Sequence, residues 1–204
     1  MRLRHGLVWL STALFTVLAA ATPQAKAQPV TGWGLPQLMH RLSRIPSSSA
    51  RFTESQTMHM LNAPLVTSGT LQYVAPDWMQ KTTTSPVPER FLLNRGQVTI
   101  TGGTDNQTHL FSLSDYPQIG GLVEGILATL SGNLPVLDRL YAVQLTGSPQ
   151  AWQLLLEPRD AGLKRFIAWL RIGGDGNRIV FIDTQNSNGD HSEMSVVEDV
   201  GNAD

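Results

Sequence analysis

Gly189 to Met194 reads GDHSEM, which places two carboxylates, an imidazole and a hydroxyl in four consecutive positions, Asp190 to Glu193. These are the residue types of proton transfer and of metal binding. The spacing argues against both, because successive residues of a strand point to opposite faces and cannot meet at one atom. The stretch reads as the end of a hairpin. Beyond residue 27 the histidines are His40, His59, His109 and His191, and no two of them have ligand spacing. The chain has no cysteine and no G-x-S-x-G. GGDGN, at Gly173 to Asn177, resembles part of a calcium loop but lacks its other carboxylates and closing glutamate, so it reads as a turn. NQT, at Asn106 to Thr108, is a glycosylation acceptor only in a eukaryotic secretory route. No catalytic residue, cofactor or metal site is expected, and a hydrolase of lipid-like substrates is the weakest functional reading because no nucleophile–base set is visible.

The elements around these residues follow from periodicity. Leu35, Leu38, Met39, Leu42 and Ile45 form one helix face, with Pro36 in the first turn and Pro46 ending the run. From Ala50 the period becomes two. Strands are predicted at about 51–61, 65–75, 78–85, 90–93, 97–101 and 108–113. A helix follows at about 117–131, carrying Ile119, Leu122, Val123, Ile126, Leu127 and Leu130 on one side. Strands resume at about 140–145, 151–157, 163–172, 178–184 and 192–198. Short turns between them imply an antiparallel sheet. The fold class is mainly β with two or three short helices: a curved antiparallel sheet forming a half-open barrel covered by a helical lid.

The start of the chain sets its compartment. Met1 to His5 is basic, Leu7 to Ala21 is apolar, and Ala25, Lys26 and Ala27 offer the small residues of a cleavage site. This is the layout of a secretory signal peptide over 1–27, cut after Ala27, with 28–204 as a single domain. The apolar run is shorter than the roughly 20 residues a spanning helix needs. Removing Arg2, Arg4 and Lys26 lowers Lys plus Arg from 15 to 12 against 16 acidic residues, a net charge of −4. That argues against nucleic acid, which requires a basic footprint.

Several strands are apolar on both faces. Leu71 and Tyr73 oppose Val74. Phe166, Ala168, Leu170 and Ile172 oppose Ile167 and Trp169. Trp152, Leu154 and Leu156 oppose Leu155, and Val180 and Ile182 oppose Ile179 and Phe181. An ordinary β-core with some apolar surface accounts for this. A cavity too wide to be filled, holding an apolar ligand, accounts for it too. Gly120, Gly121 and Gly125 sit in the second helix, where glycine costs roughly 1 kcal/mol per position. They permit either close packing on the sheet or a lid that detaches at low cost.

ARFTESQ (Ala50 to Gln56), SGTLQYVAPDWMQK (Ser68 to Lys81) and KRFIAWLRIGGDGNRIVFIDTQNSNGDHSEMSV (Lys164 to Val196), behind a signal peptide and an amphipathic helix, resemble the LolA family of periplasmic outer-membrane lipoprotein carriers, and more narrowly its divergent LolA-like branch. The resemblance spans about Leu35 to Val197. It implies a periplasmic protein whose helical lid covers a cavity for acyl chains of a lipoprotein, passed from an inner-membrane donor to an outer-membrane acceptor. Where the carriers place a lid-latching arginine before the strand-ending proline, this chain has Ala75, which cannot donate those hydrogen bonds. Met79, Gln80 and Lys81 stand where an aromatic–arginine–tryptophan run often follows. The lid is then held by apolar contact or other partners, and another acyl lipid or a polyene pigment fits as cargo beside a lipoprotein. The candidate lining is Phe52, Leu71, Tyr73, Trp78, Phe91, Phe111, Ile126, Leu127, Leu130, Leu154, Trp169 and Phe181. A monomer is expected, with no enzymatic activity. The alternative is a periplasmic adaptor of an envelope export complex, with the same sheet and a filled core.

Overall fold

The computed structural model describes residues 32–199. The predicted signal peptide, and the chain's last five residues, lie outside the described residues.

The first helix, α1 (Leu35–Leu42), has a proline in its first turn and buries Leu38, Met39 and Leu42. Six strands follow as a meander: β1 (Ser47–Thr57), β2 (Leu65–Val74), β3 (Trp78–Ser85), β4 (Glu89–Asn94), β5 (Gln97–Gly102) and β6 (Gln107–Ser112). A 3-10 turn at Leu113–Asp115 leads into α2 (Pro117–Leu130) and α3 (Leu134–Leu140). The second meander is β7 (Tyr141–Ser148), β8 (Ala151–Pro158), the single-turn α4 (Ala161–Lys164), β9 (Ile167–Asp175), β10 (Arg178–Asn186) and β11 (His191–Glu198). All eleven strands form one antiparallel sheet in the order β6-β5-β4-β3-β2-β1-β11-β10-β9-β8-β7. The first and last strands pair at its centre, with Phe52 opposite Val196, so the meanders become one sheet rather than two. The sheet stays open, with β6 and β7 as its edges.

Four helices stand where two or three were expected. α3 is a seven-residue piece too short for a 3.6-residue period to show. Its start was nevertheless written locally: the Asn133 side chain accepts a hydrogen bond from the Val136 N–H at 3.3 Å. α4 takes the first residues assigned to the ninth strand, because the Asp160 carboxylate caps the Leu163 N–H at 3.0 Å. β1 begins and ends four residues earlier than predicted. Its first three residues, Ser47 to Ser49, pair with Val74, Tyr73 and Gln72, while Met58 to Leu61 closes a turn and leaves Met60 84% exposed.

One sheet face carries the helices, and burial follows the alternation from strand to strand. Phe52, Tyr73, Leu93, Val98, Val196, Ile172, Leu170, Leu154 and Leu156 are all buried. The larger core packs Leu38, Met39, Leu42, Ala128, Leu137 and Tyr141 onto Trp152, Leu154, Leu156, Leu170 and Ile172. A smaller one joins Leu93 and Val98 to Leu113 and Val123.

Two glycines read as part of a turn belong to a strand. Gly173 and Gly174 close β9, and only Gly176 and Asn177 make the turn. A Cβ on Gly174 would lie 2.2 Å from the Trp152 ring, and one on Gly173 would lie 1.9 Å from Phe181. Each glycine therefore makes room for an aromatic ring on its own face. The register between β9 and β10 shifts between Ile179 and Phe181. That bulge places Ile179 and Ile182 on the same face, where strict alternation had opposed them, and leaves Val180 exposed.

Candidate functional site

A cavity of about 250 Å³ lies between the middle of the sheet and the ends of α1 and α2. Its floor is Ala50 of β1, Leu71 and Tyr73 of β2, Met79 of β3, Phe91 of β4, Ile179 and Ile182 of β10, and Met194 and Val196 of β11. Its roof is Leu42, Ile45, Ile126 and Leu130. The sheet at this point is not plugged by its own side chains. Polar groups are confined to Ser48, Gln72, Lys81, Asn177, Arg178 and Glu198, and Asn177 and Arg178 are exposed at the β9–β10 turn.

Five of the twelve candidate lining residues meet here: Leu71, Tyr73, Phe91, Ile126 and Leu130. The others lie elsewhere. Phe52 shares the inner face but sits one pleat further along β1, beneath the Lys81 ammonium at 4.8 Å from its ring centroid. Leu154 is sealed in the larger core. Phe111 and Leu127 pack on the smaller one. Trp78 alternates with the cavity residue Met79 and so faces away. Trp169 lies under the Arg171 guanidinium and edge-on to His191, and Phe181 covers Gly173; both are on the outer face. Sequence reading missed Met79, Ile179, Ile182, Met194 and Val196 as lining. A bulge hid the isoleucines, and the central β1–β11 pairing that brings β11 beside β2's partner leaves no local trace.

Beside the cavity, the inner face of the sheet also holds an ion pair that periodicity alone would not suggest. Glu54 is 6% exposed on the inner face of β1. Its carboxylate accepts from the Lys81 ammonium, from the Ser192 hydroxyl at 2.6 Å and from Thr67 at 3.4 Å. Burial pushes the Glu54 carboxyl up, but the Lys81 charge and the hydrogen bonds from Lys81, Ser192 and Gln56 outweigh it and hold the group below its ordinary value. Tyr73, 4% exposed, has no hydrogen-bond partner for its hydroxyl among the described residues. Burial and then the Asp77 charge push that phenol up. Ser131 tempers the rise without meeting hydrogen-bond geometry, its own hydroxyl donating to the Leu127 carbonyl at 2.7 Å.

A tyrosine and close glycine contacts hold the roof. Tyr141, buried, donates its hydroxyl to the Gly121 carbonyl at 2.8 Å, and burial followed by the Glu124 charge pushes its phenol up. Arg139 reaches Glu124 at 3.2 Å on the surface. A Cβ on Gly121 would lie 2.7 Å from Leu163, and one on Gly125 would lie 2.8 Å from the Tyr141 ring. Gly132, with φ +64°, ends α2, and a Cβ there would lie 2.1 Å from the Met39 carbonyl, so the roof helices meet at close range. The glycines thus have the contacts that close packing requires.

GDHSEM behaves as its alternation requires. Ser192 turns inward to Glu54, while His191 and Glu193 face outward. Asp190 accepts from the His59 backbone and lies 2.7 Å from the His59 ring, which, with Asn188, holds its carboxyl below the ordinary value. His191 and Glu193 do meet a third group from β10: ligand atoms of Asp183, His191 and Glu193 lie within 4.8 Å of one another. Arg171 already sits on Asp183 at 2.9 Å, placing a fixed positive charge where a cation would have to bind.

Residues 27–200 match the family model described as "Outer membrane lipoprotein carrier protein LolA-like". No curated protein matches. Among solved structures, a LolA superfamily protein from Nitrosomonas europaea is similar at 11% identity and a TM-score of 0.45, over 81% of this chain and 92% of that one. A putative outer membrane lipoprotein-sorting protein domain from Vibrio parahaemolyticus is similar at 9% identity and a TM-score of 0.42, over 82% and 92%. The Pseudomonas aeruginosa MucA/MucB complex is similar at 12% identity and a TM-score of 0.41, over 79% and 55%. No described helix is long and apolar enough to cross a membrane.

Proposed function

The chain belongs to the LolA-like family of outer membrane lipoprotein carrier proteins, and on that premise we propose that it is a non-enzymatic periplasmic carrier that shields acyl chains in the cavity beneath α1 and α2. One observation carries this reading: an apolar hollow of about 250 Å³ in the middle of the sheet, roofed by two helices. Burying a methylene group stabilises by about 0.8 kcal/mol, so eight of them contribute roughly 6 kcal/mol without any specific contact. That is enough to hold a chain and still let a competing apolar site draw it off. Loading and release require only that the roof give way, since no covalent step is involved. Cargo reaches the protein from an inner-membrane donor and leaves to an outer-membrane acceptor, with the signal peptide removed after Ala27. Leu71, Tyr73, Phe91, Ile126 and Leu130 are the proposed contact residues, and Gly120, Gly121 and Gly125 the proposed yielding part of the roof.

Native mass spectrometry of protein purified from its own periplasm tests the reading. An acyl-bearing species is expected to co-purify with the unaltered protein. It should be lost from Leu71→Glu, which places a charge on the cavity floor, and kept by Val74→Glu, three residues on at a position 47% exposed. Protein that is ligand-free from the cell and takes up no acyl chain in vitro would refute the carrier role.

A further inference from the structure

We propose that the open edge of the sheet at β6 is a pairing site for a second copy of this chain, the two β6 strands running antiparallel about a two-fold axis at Leu110. The direction of the backbone groups follows from one hydrogen bond and the register. The Leu113 N–H donates to the Gly96 carbonyl at 2.9 Å, and β6 pairs with β5 from Ser112 to Gln107 without a shift. Backbone groups of an antiparallel strand alternate in direction. Those of Phe111, His109 and Gln107 therefore turn to β5, and those of Ser112, Leu110 and Thr108 turn away from the sheet. Among the described residues these three outward backbones have no partner. Leu110, at the middle of the row, is 72% exposed.

The two edges of the sheet are not alike. Natural sheets block a free edge with proline, lysine, a bulge or a covering group. At β7 the Arg159 side chain donates to the Tyr141 carbonyl at 2.9 Å, and Gly147, with φ +91°, interrupts the extended backbone near the other end. At β6 the segment Gln107 to Ser112 has no proline, lysine or arginine, no positive φ and no register shift. Its free groups at 108, 110 and 112 are symmetric about Leu110. A second β6 therefore meets them in full: Leu110 stands opposite its own copy and Thr108 opposite Ser112, with every outward N–H facing a carbonyl. Leu110 then packs on Leu110 on one face, His109 lies opposite Phe111 on the other, and no like charges are opposed within the strands. A β6-to-β7 contact would be head-to-tail and open-ended, and Arg159 and Gly147 oppose it, whereas the two-fold contact closes. Six residues a side fall short of the roughly 1,200 Å² that a stable interface buries, so the dimer is weak and the expected monomer is its dilute form. Paired residues share a face, so the helix-covered faces of both copies lie on one side of the joined sheet.

Sedimentation velocity of the purified protein at concentrations up to about 1 mM tests this, with hydrogen exchange at both ends of the range. A reversible dimer is expected, with the Thr108, Leu110 and Ser112 amides slowed at high concentration and the His109 and Phe111 amides unchanged. In Leu110→Pro the ring replaces an N–H that points out of the sheet, so β6 keeps its bonds to β5 while the dimer loses two hydrogen bonds, one per copy. The dissociation constant should rise about thirtyfold. Leu110→Lys, which sets two ammonium groups face to face, should abolish the dimer, and it decides the matter if the proline variant does not fold. Met60→Lys, in the exposed turn after β1, should leave the dimer intact. A protein that is monomeric at about 1 mM overturns the proposal, as does a dimer kept in Leu110→Lys or lost in Met60→Lys. Slowing of the three outward amides only when another protein is added overturns it too, because the occupant is then a foreign strand. None of these outcomes bears on the cavity or its cargo.

Discussion

Glu54 and Lys81 show how one pair of charges can be tolerated inside an apolar trough. Glu54 keeps three hydrogen-bond donors, and Lys81 retains 27% of its side-chain surface in solvent and lies over the Phe52 ring. The two partners are therefore not equivalent. Lys81→Met strands a buried carboxylate and should cost about 3 kcal/mol in urea unfolding at neutral pH. Glu54→Gln keeps hydrogen-bonding capacity and lets the ammonium swing to water, so it should cost visibly less. The carboxyl is held below its usual value, near 4.3, so its stabilisation is complete above that pH and disappears as pH falls through the lower folded value. Stability of the unaltered protein should thus fall between neutral and strongly acid pH, and Glu54→Gln should flatten that fall. An equal slope in both would remove Glu54 as the titrating group.

At the scale of elements, α2 is an apolar helix weakened by its own glycines and held by what those glycines admit. Gly125 faces the Tyr141 ring, which is itself tied to the Gly121 carbonyl, whereas Gly121 faces the free ends of Leu163. Alanine gains about 1 kcal/mol of helix propensity at either position. At Gly125 a fixed ring cannot retreat, and overpacking of about 1–3 kcal/mol should win. At Gly121 the leucine tips can rotate away. Gly125→Ala should therefore lower the denaturation midpoint, and Gly121→Ala should leave it unchanged or raise it. The reverse order would mean that α2 is seated differently on β7. The glycine cluster was legible in the sequence, but its two readings were not separable there, because the partners Tyr141 and Leu163 lie 16 and 42 residues further along the chain.

The described residues form one sheet whose first and last strands meet at its centre, so that its most protected region is assembled from segments far apart in the chain. Backbone amides of β1, β2 and β11 should exchange most slowly with deuterium, and those of β6, an edge strand with Leu110 exposed, much faster. Uniform exchange across the sheet would contradict that organisation. Period-two alternation, turn residues and helix periodicity are local properties, so the strands, the antiparallel pairing of neighbours, α1, α2 and the general class of an open β-sheet under helices could all be read from the chain alone. Leu71 and Tyr73 could be assigned to one face for the same reason. What only the folded molecule decided was the pairing: the β1–β11 closure that brings Met194 and Val196 into one cavity with Leu71, the β10 bulge that turns Ile179 and Ile182 to the same side, and the meeting of Glu54 with Lys81 and Ser192. Each depends on how one strand pairs with another, and side-chain spacing along a single strand carries no record of that.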